Sequence, residues 1–144
     1  MNTEQCIEKG LLKKVAPDAG KAMLALEIAE KNLGDAEKQI KAGLPRWAFI
    51  AAYTAMFHAG RAILYRDGVK ERSHYCIYIY LREKYSEKIE PKYFTELNLL
   101  REQRHRTMYG DEKVRLRKIE EEEAENAVET ARGFLEVVRA ELEK

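Results

Sequence analysis

Little in this sequence interrupts a helix. Three prolines and eight glycines in 144 residues are too few for a turn-rich β fold. Glycine-rich phosphate loops, His-Glu-x-x-His helices and Cys-x-x-Cys pairs are all missing, which removes the P-loop, zincin and zinc-ribbon chemistries. The three histidines, His58, His74 and His105, stand singly, so neither a metal nor a cofactor is expected. Cys6 and Cys76 are too few for a disulfide framework, and in so charged a chain they read as the reduced thiols of a cytoplasmic protein. Excess charge is missing as well. Against 26 Lys and Arg stand 25 Asp and Glu, a net +1, so no basic coat covers the molecule and any anion site must be local. The longest apolar run, Trp47 to Phe57, is too short to span a membrane. The polar first ten residues lack the apolar stretch of a signal peptide.

What is present is charge laid over helical periodicity. A composition of 45% hydrophobic and 35% charged residues suits helices with solvated outer faces. Residues 1–17 are expected to be an N-terminal extension, weakly structured or with a short helix around Cys6 to Val15, and residues 18–144 to be the folded domain. Ala22, Leu26, Ala29, Leu33, Ala36 and Ile40 alternate four- and three-residue steps, the seam of a long helix that Gly43-Leu44-Pro45 ends. A second helix, Pro45 to Arg66, is apolar nearly all round and must be buried on more than one side. Asp67-Gly68 makes a turn, and Ser73 caps a third helix from His74 to about Tyr85. The tyrosines of that helix, Tyr75, Tyr78, Tyr80 and Tyr85, scatter round it and read as packing groups. His74, beside the cap, reads as structural or solvent-exposed. Pro91 opens a fourth helix, and a charged connection occupies residues 111–118. Glu120 to Glu123 then begin a final helix with acidic residues suited to its positive end. Ala124, Val128, Ala131, Leu135, Val138 and Leu142 repeat the first seam, so the first and last long helices are natural antiparallel partners. The predicted fold is all-α, an up-down helical bundle of four main helices plus a short fifth.

Candidate chemistry gathers between Leu97 and Gly110. Leu97, Leu100, Arg104 and Met108 share one helical face, which puts a guanidinium where a core or an interface should be. A buried guanidinium is costly unless it is paired, so Arg104 has either a structural carboxylate partner or an anion to bind. Arg101, His105, Arg106 and Tyr109 surround it, and Gly110 stops the helix. On the second helix His58 and Arg61 lie three residues apart on one surface. His58 reads first as a hydrogen-bonded core histidine and Arg61 as an ion-pair partner. Both also join Arg101 and Arg104 as candidate nucleotide or nucleic-acid contacts.

Two blocks resemble the HEPN (higher eukaryote and prokaryote nucleotide-binding) family, in particular its small stand-alone prokaryotic members. One is Ala51-Ala52-Tyr53-Thr54-Ala55-Met56-Phe57-His58-Ala59-Gly60-Arg61-Ala62-Ile63-Leu64, followed by Gly68 and Ser73-His74. The other is Leu100 to Gly110, with Arg104-His105-x-x-x-Tyr109 where the family carries its motif. The resemblance covers about residues 18–143 and implies a helical bundle that dimerises, bringing two arginine motifs into one cleft. Many such proteins are metal-independent ribonucleases, and several are toxins beside a small nucleotidyltransferase. The family motif is an arginine, a polar residue, and a histidine four to six positions after the arginine. Arg104 and His105 match the first two, but Tyr109 stands where the histidine belongs. A phenol with pKa near 10 is a poor general base at neutral pH. His105 points about 100° away from Arg104 on an ideal helix, and Tyr109 about 140°. The resemblance therefore implies Arg104, His105 and Tyr109 as candidate catalytic residues with the final role unfilled. Three readings stay open: an RNA-cleaving protein, a non-catalytic module binding nucleotide, RNA or a nucleotidyltransferase, and a helical dimer with a degenerate motif.

Overall fold

The computed structural model describes residues 1–110 and 118–144. Residues 111–117 of the expected charged connection lie outside the described residues. The chain forms α1 (Thr3–Glu8), β1 (Leu12–Lys14), α2 (Ala19–Lys41), α3 (Pro45–Asp67), β2 (Val69–Glu71), α4 (His74–Tyr85), α5 (Pro91–Tyr109) and α6 (Glu121–Leu142). The fold is all-α apart from one two-stranded antiparallel sheet, which pairs β1 with β2 across α2 and α3, with the bundle helices in the expected order.

Local chemistry explains most boundaries. The Asp18 carboxylate accepts the Lys21 amide and starts α2, while Pro45 sits in the first turn of α3. At Gly68 the chain leaves α3 with φ +82°, and a Cβ there would lie 2.6 Å from the Val15 carbonyl oxygen. Only glycine permits both that conformation and that approach. The Ser73 hydroxyl accepts the Cys76 amide, which makes His74 the first residue of α4.

α3 is the central helix. Alanines 48, 52, 55, 59 and 62 are fully buried along it and let neighbouring helices approach closely. α2, α6, α5 and α4 all pack against it. α2 and α6 do run antiparallel, as Glu37–Arg132 and Glu30–Arg139 ion pairs show, but the principal neighbour of each is α3. The reason is burial: α3 carries apolar surface on every side, whereas α2 and α6 each have one stripe.

Two expectations are corrected. The N-terminal helix lies earlier than Cys6 to Val15, at Thr3–Glu8, and residues 12–14 form a strand. Cys6 and Cys76 are joined in a disulfide with a Cα–Cα separation of 6.1 Å, not held as reduced thiols. Counting cysteines could not reveal this, because the pairing depends on α1 docking against α4 across 70 residues of sequence. The thiol argument for a cytoplasmic location falls with it. Among the described residues, no helix is long and apolar enough to cross a membrane.

Candidate functional site

One surface where α3, the start of α4 and α5 meet brings together imidazole, phenol and guanidinium groups. Tyr53 and Phe57 lie one turn apart on α3, and both face His74 of α4. The Tyr53 hydroxyl is 2.7 Å from His74 Nδ1, and the imidazole stacks on Phe57 with ring centres 4.0 Å apart. His58 meets the other side of Phe57 edge-on at 5.1 Å. Its Nδ1 lies 3.3 Å from Nη1 of Arg61. Arg61 also reaches the Tyr65 hydroxyl and forms an ion pair with Glu71 at 2.9 Å.

α5 supplies the other wall. The Arg104 guanidinium lies over the Tyr53 ring at 5.3 Å, and that of Arg101 over Tyr75 at 5.1 Å. Arg101 is held by Asn98 at 3.1 Å and by the exposed Glu102 at 3.5 Å. Arg104 has no such support. Its Nη1 approaches the Met108 sulfur at 3.3 Å, and its buried Nε finds no hydrogen-bond partner among the described residues. A thioether is a weak acceptor, so this guanidinium is half-buried with its donors largely unused.

The electrostatics follow from that geometry. Burial lowers the pKa of His74, and the charges of Arg104, Arg101 and Arg61 lower it further. Burial, Arg61 and His74 do the same to His58. Both imidazoles are therefore neutral at neutral pH. Burial pushes the Tyr53 phenol up to about 12 against the pull of Arg104 and Arg101, so it stays protonated. A neutral phenol can donate to Nδ1 or accept from it, leaving Nε2 of His74 as donor or acceptor in turn.

Arg101, Arg104, His58 and Arg61 all reach this surface. His105 and Tyr109 do not join them within one chain. Both are exposed near the end of α5, with their rings 5.1 Å from each other. Sequence reasoning missed Tyr53, Phe57 and the central place of His74. The available signal was the spacing Tyr53, Phe57, His58, Arg61, an aromatic and basic stripe on a helix otherwise mostly apolar. Among the described residues, no three His, Cys, Asp or Glu side chains gather as metal ligands.

The family model that matches is the HEPN domain, over residues 22–141. The chain belongs to the HEPN domain family. Comparison with curated proteins finds no match. HEPN membership associates the chain with nucleotide and RNA chemistry in general. The matched residues contain every member of the cluster, whereas α1, β1 and the first residues of α2 precede them.

Proposed function

We propose that this HEPN domain binds RNA through a backbone phosphate at the Arg104–Arg101–His74 surface, placed for metal-independent attack by the neighbouring 2′-hydroxyl. Arg104 is the observation that carries this. A half-buried cation with an unpartnered Nε and no carboxylate partner among the described residues is completed by an anion. Arg104 would then stabilise the charge that develops on the phosphorane, with Arg101 beside it. His74 is the proton-transferring group in this reading. It is accessible from solvent, held by Tyr53 through Nδ1, and free at Nε2 to take the 2′-hydroxyl proton; as the P–O5′ bond breaks to leave a 2′,3′-cyclic phosphate, a proton goes to the departing 5′-oxygen.

A second reading, binding without cleavage, is favoured by one observation: His105 and Tyr109 stand apart from Arg104 within the chain. Homodimerisation bears on the choice, since a second copy could bring that pair to the cleft. Leu44, Trp47, Leu99 and Tyr109 remain exposed on or beside α3 and α5 and support such an interface. A small nucleotidyltransferase partner is proposed on the family resemblance alone and is tested by co-purification.

The deciding experiment compares an oligoribonucleotide with its 2′-deoxy analogue in EDTA, using wild type and Arg104→Ala. Binding of both and cleavage of the ribo strand alone supports the enzyme. Binding of both without cleavage supports the module. Arg104→Ala that folds and binds as wild type rejects the site.

A further inference from the structure

A second basic surface lies next to the first, formed by residues 13–21, which precede the family match, and residues 65–72, which lie within it. Lys13, Val15, Ala16, Asp18, Lys21, Tyr65, Lys70 and Arg72 enclose a cavity of about 350 Å³. Four of these are cations and one is a carboxylate. The carboxylate, Asp18, is already engaged in capping α2.

The register of the strand pair sharpens the point. Lys13 of β1 is the direct cross-strand partner of Lys70 of β2. Like charges directly opposite one another destabilise an antiparallel pair. Nothing among the described residues relieves this one, since neither lysine, nor Lys21, nor Arg72, has an ion-pair partner there. The neighbouring acid on β2, Glu71, is taken by Arg61. Nor is the strand pair a loose arm. Three backbone bonds, Arg72 N–H to Leu11 O, Val15 N–H to Gly68 O and Asp18 N–H to Tyr65 O, fasten residues 11–18 to residues 65–72.

Tyr65 connects the two surfaces. On one side its hydroxyl accepts from Arg61, whose guanidinium lies 5.2 Å from the ring. On the other, Lys21 Nζ lies 6.0 Å from the same ring. From His58 to Tyr65 is seven residues of α3, about 10 Å along the axis. Cations at Arg104, Arg61, Lys21, Lys13, Lys70 and Arg72 thus line one track, with the neutral His58 and Tyr65 between them.

We infer that the cavity beside the β1–β2 pair is a second phosphate subsite, which holds the backbone of a single-stranded polynucleotide that continues, a few nucleotides further along, to a phosphate at Arg104 and His74. This rests on the function proposed above and adds to it that the ligand is a strand, not a mononucleotide. The track is wider than one phosphate, and the subsite joins the N-terminal strand β1 to the start of α2, the end of α3 and β2.

The test pairs Lys13→Gln/Lys70→Gln with Arg104→Ala and measures two ligands, uridine monophosphate and an oligouridylate of about twelve nucleotides, a common site size for single-strand binders. Both lysines are exposed, and removing their repulsion leaves the fold intact. The double variant should bind the oligonucleotide about tenfold more weakly, with the slope of log affinity against log salt shallower by roughly 1.4, two phosphate contacts at ~0.7 each. Its affinity for the mononucleotide should not change. A folded double variant with unchanged oligonucleotide affinity and salt slope overturns the subsite, as does an equal loss for both ligands. Arg104→Ala reports on the other claim: if it leaves both ligands bound as in wild type, the central site fails instead.

Discussion

Arg66 and Arg104 are both half-buried arginines at helix–helix junctions, yet their surroundings have opposite logic. Arg66 is saturated. It donates to the Glu141 carbonyl at 2.6 Å and to the Tyr85 hydroxyl at 2.7 Å, and lies 3.4 Å from carboxylate oxygens of both Glu141 and Asp67. Asp67 in turn accepts from Tyr80 at 2.8 Å and from Tyr85 at 2.5 Å. Burial alone would raise the pKa of Glu141, but Lys144 and Arg66 hold it below the ordinary carboxylate range. Arg104 has one aromatic ring, that of Tyr53, a sulfur and an unpartnered Nε. Burial does not distinguish a structural arginine from a functional one. The chemistry of its partners does, because a carboxylate satisfies the charge permanently and a ring or thioether leaves it to a ligand.

Substitution at each arginine should separate the two. Arg66→Ala strands the buried Glu141 and should cost about 3 kcal/mol in urea unfolding, as for one member of a buried pair. RNA binding by its folded fraction should be unaffected. Arg104→Ala should do the reverse, with little change in stability and a loss of about 1.5–3 kcal/mol in binding an oligoribonucleotide, the usual range for charge-assisted hydrogen bonds. Equal destabilisation by both variants would erase the contrast.

A smaller effect lies in pH. In the free protein His74 and His58 titrate below the ordinary value of 6.5. Their neutral forms therefore contribute stability that is complete above about 6.5 and is lost as pH falls through the depressed folded values. A phosphodiester beside Arg61, Arg101, Arg104 and Tyr53 should raise both values, so binding takes up protons. Affinity measured between pH 7.5 and 5.5 should rise severalfold as pH falls. His74→Gln should flatten that profile, and a profile already flat in wild type would remove His74 from the site.

The smallest predicted change is at Tyr109, which shares no contact with the cluster within one chain. Tyr109→Phe should alter stability by less than about 0.5 kcal/mol, the usual range for exposed positions. A large loss of binding would instead mean that the hydroxyl reaches the phosphate from a second copy, and sedimentation of the same variant would then show dimer.

Much of the bundle was legible because helix signals are local. The seams of α2 and α6, Ser73 as a cap, Pro45 and Pro91 as openings and Gly68 as a stop each depend on residues within a few positions. The strand pair was not. β1 and β2 are three residues each, too short for an alternating pattern to register. The candidate site was half legible. Arg104 drew attention as a cation on an apolar stripe, while His74 looked like a cap neighbour on the surface and nothing local tied it to Tyr53.

The amino-acid sequence by itself determined where the helices lie and which faces they bury, since both follow from a spacing repeated every three or four residues. It also carried the family, through the α3 block and the arginine block. Only the tertiary structure decided which polar groups meet: His74 with Tyr53, Cys6 with Cys76, Lys13 opposite Lys70, Arg66 with Glu141. Apolar burial needs no particular partner and can be read from periodicity. A polar group's role depends on the partner that docking brings to it from 21 to 75 residues away.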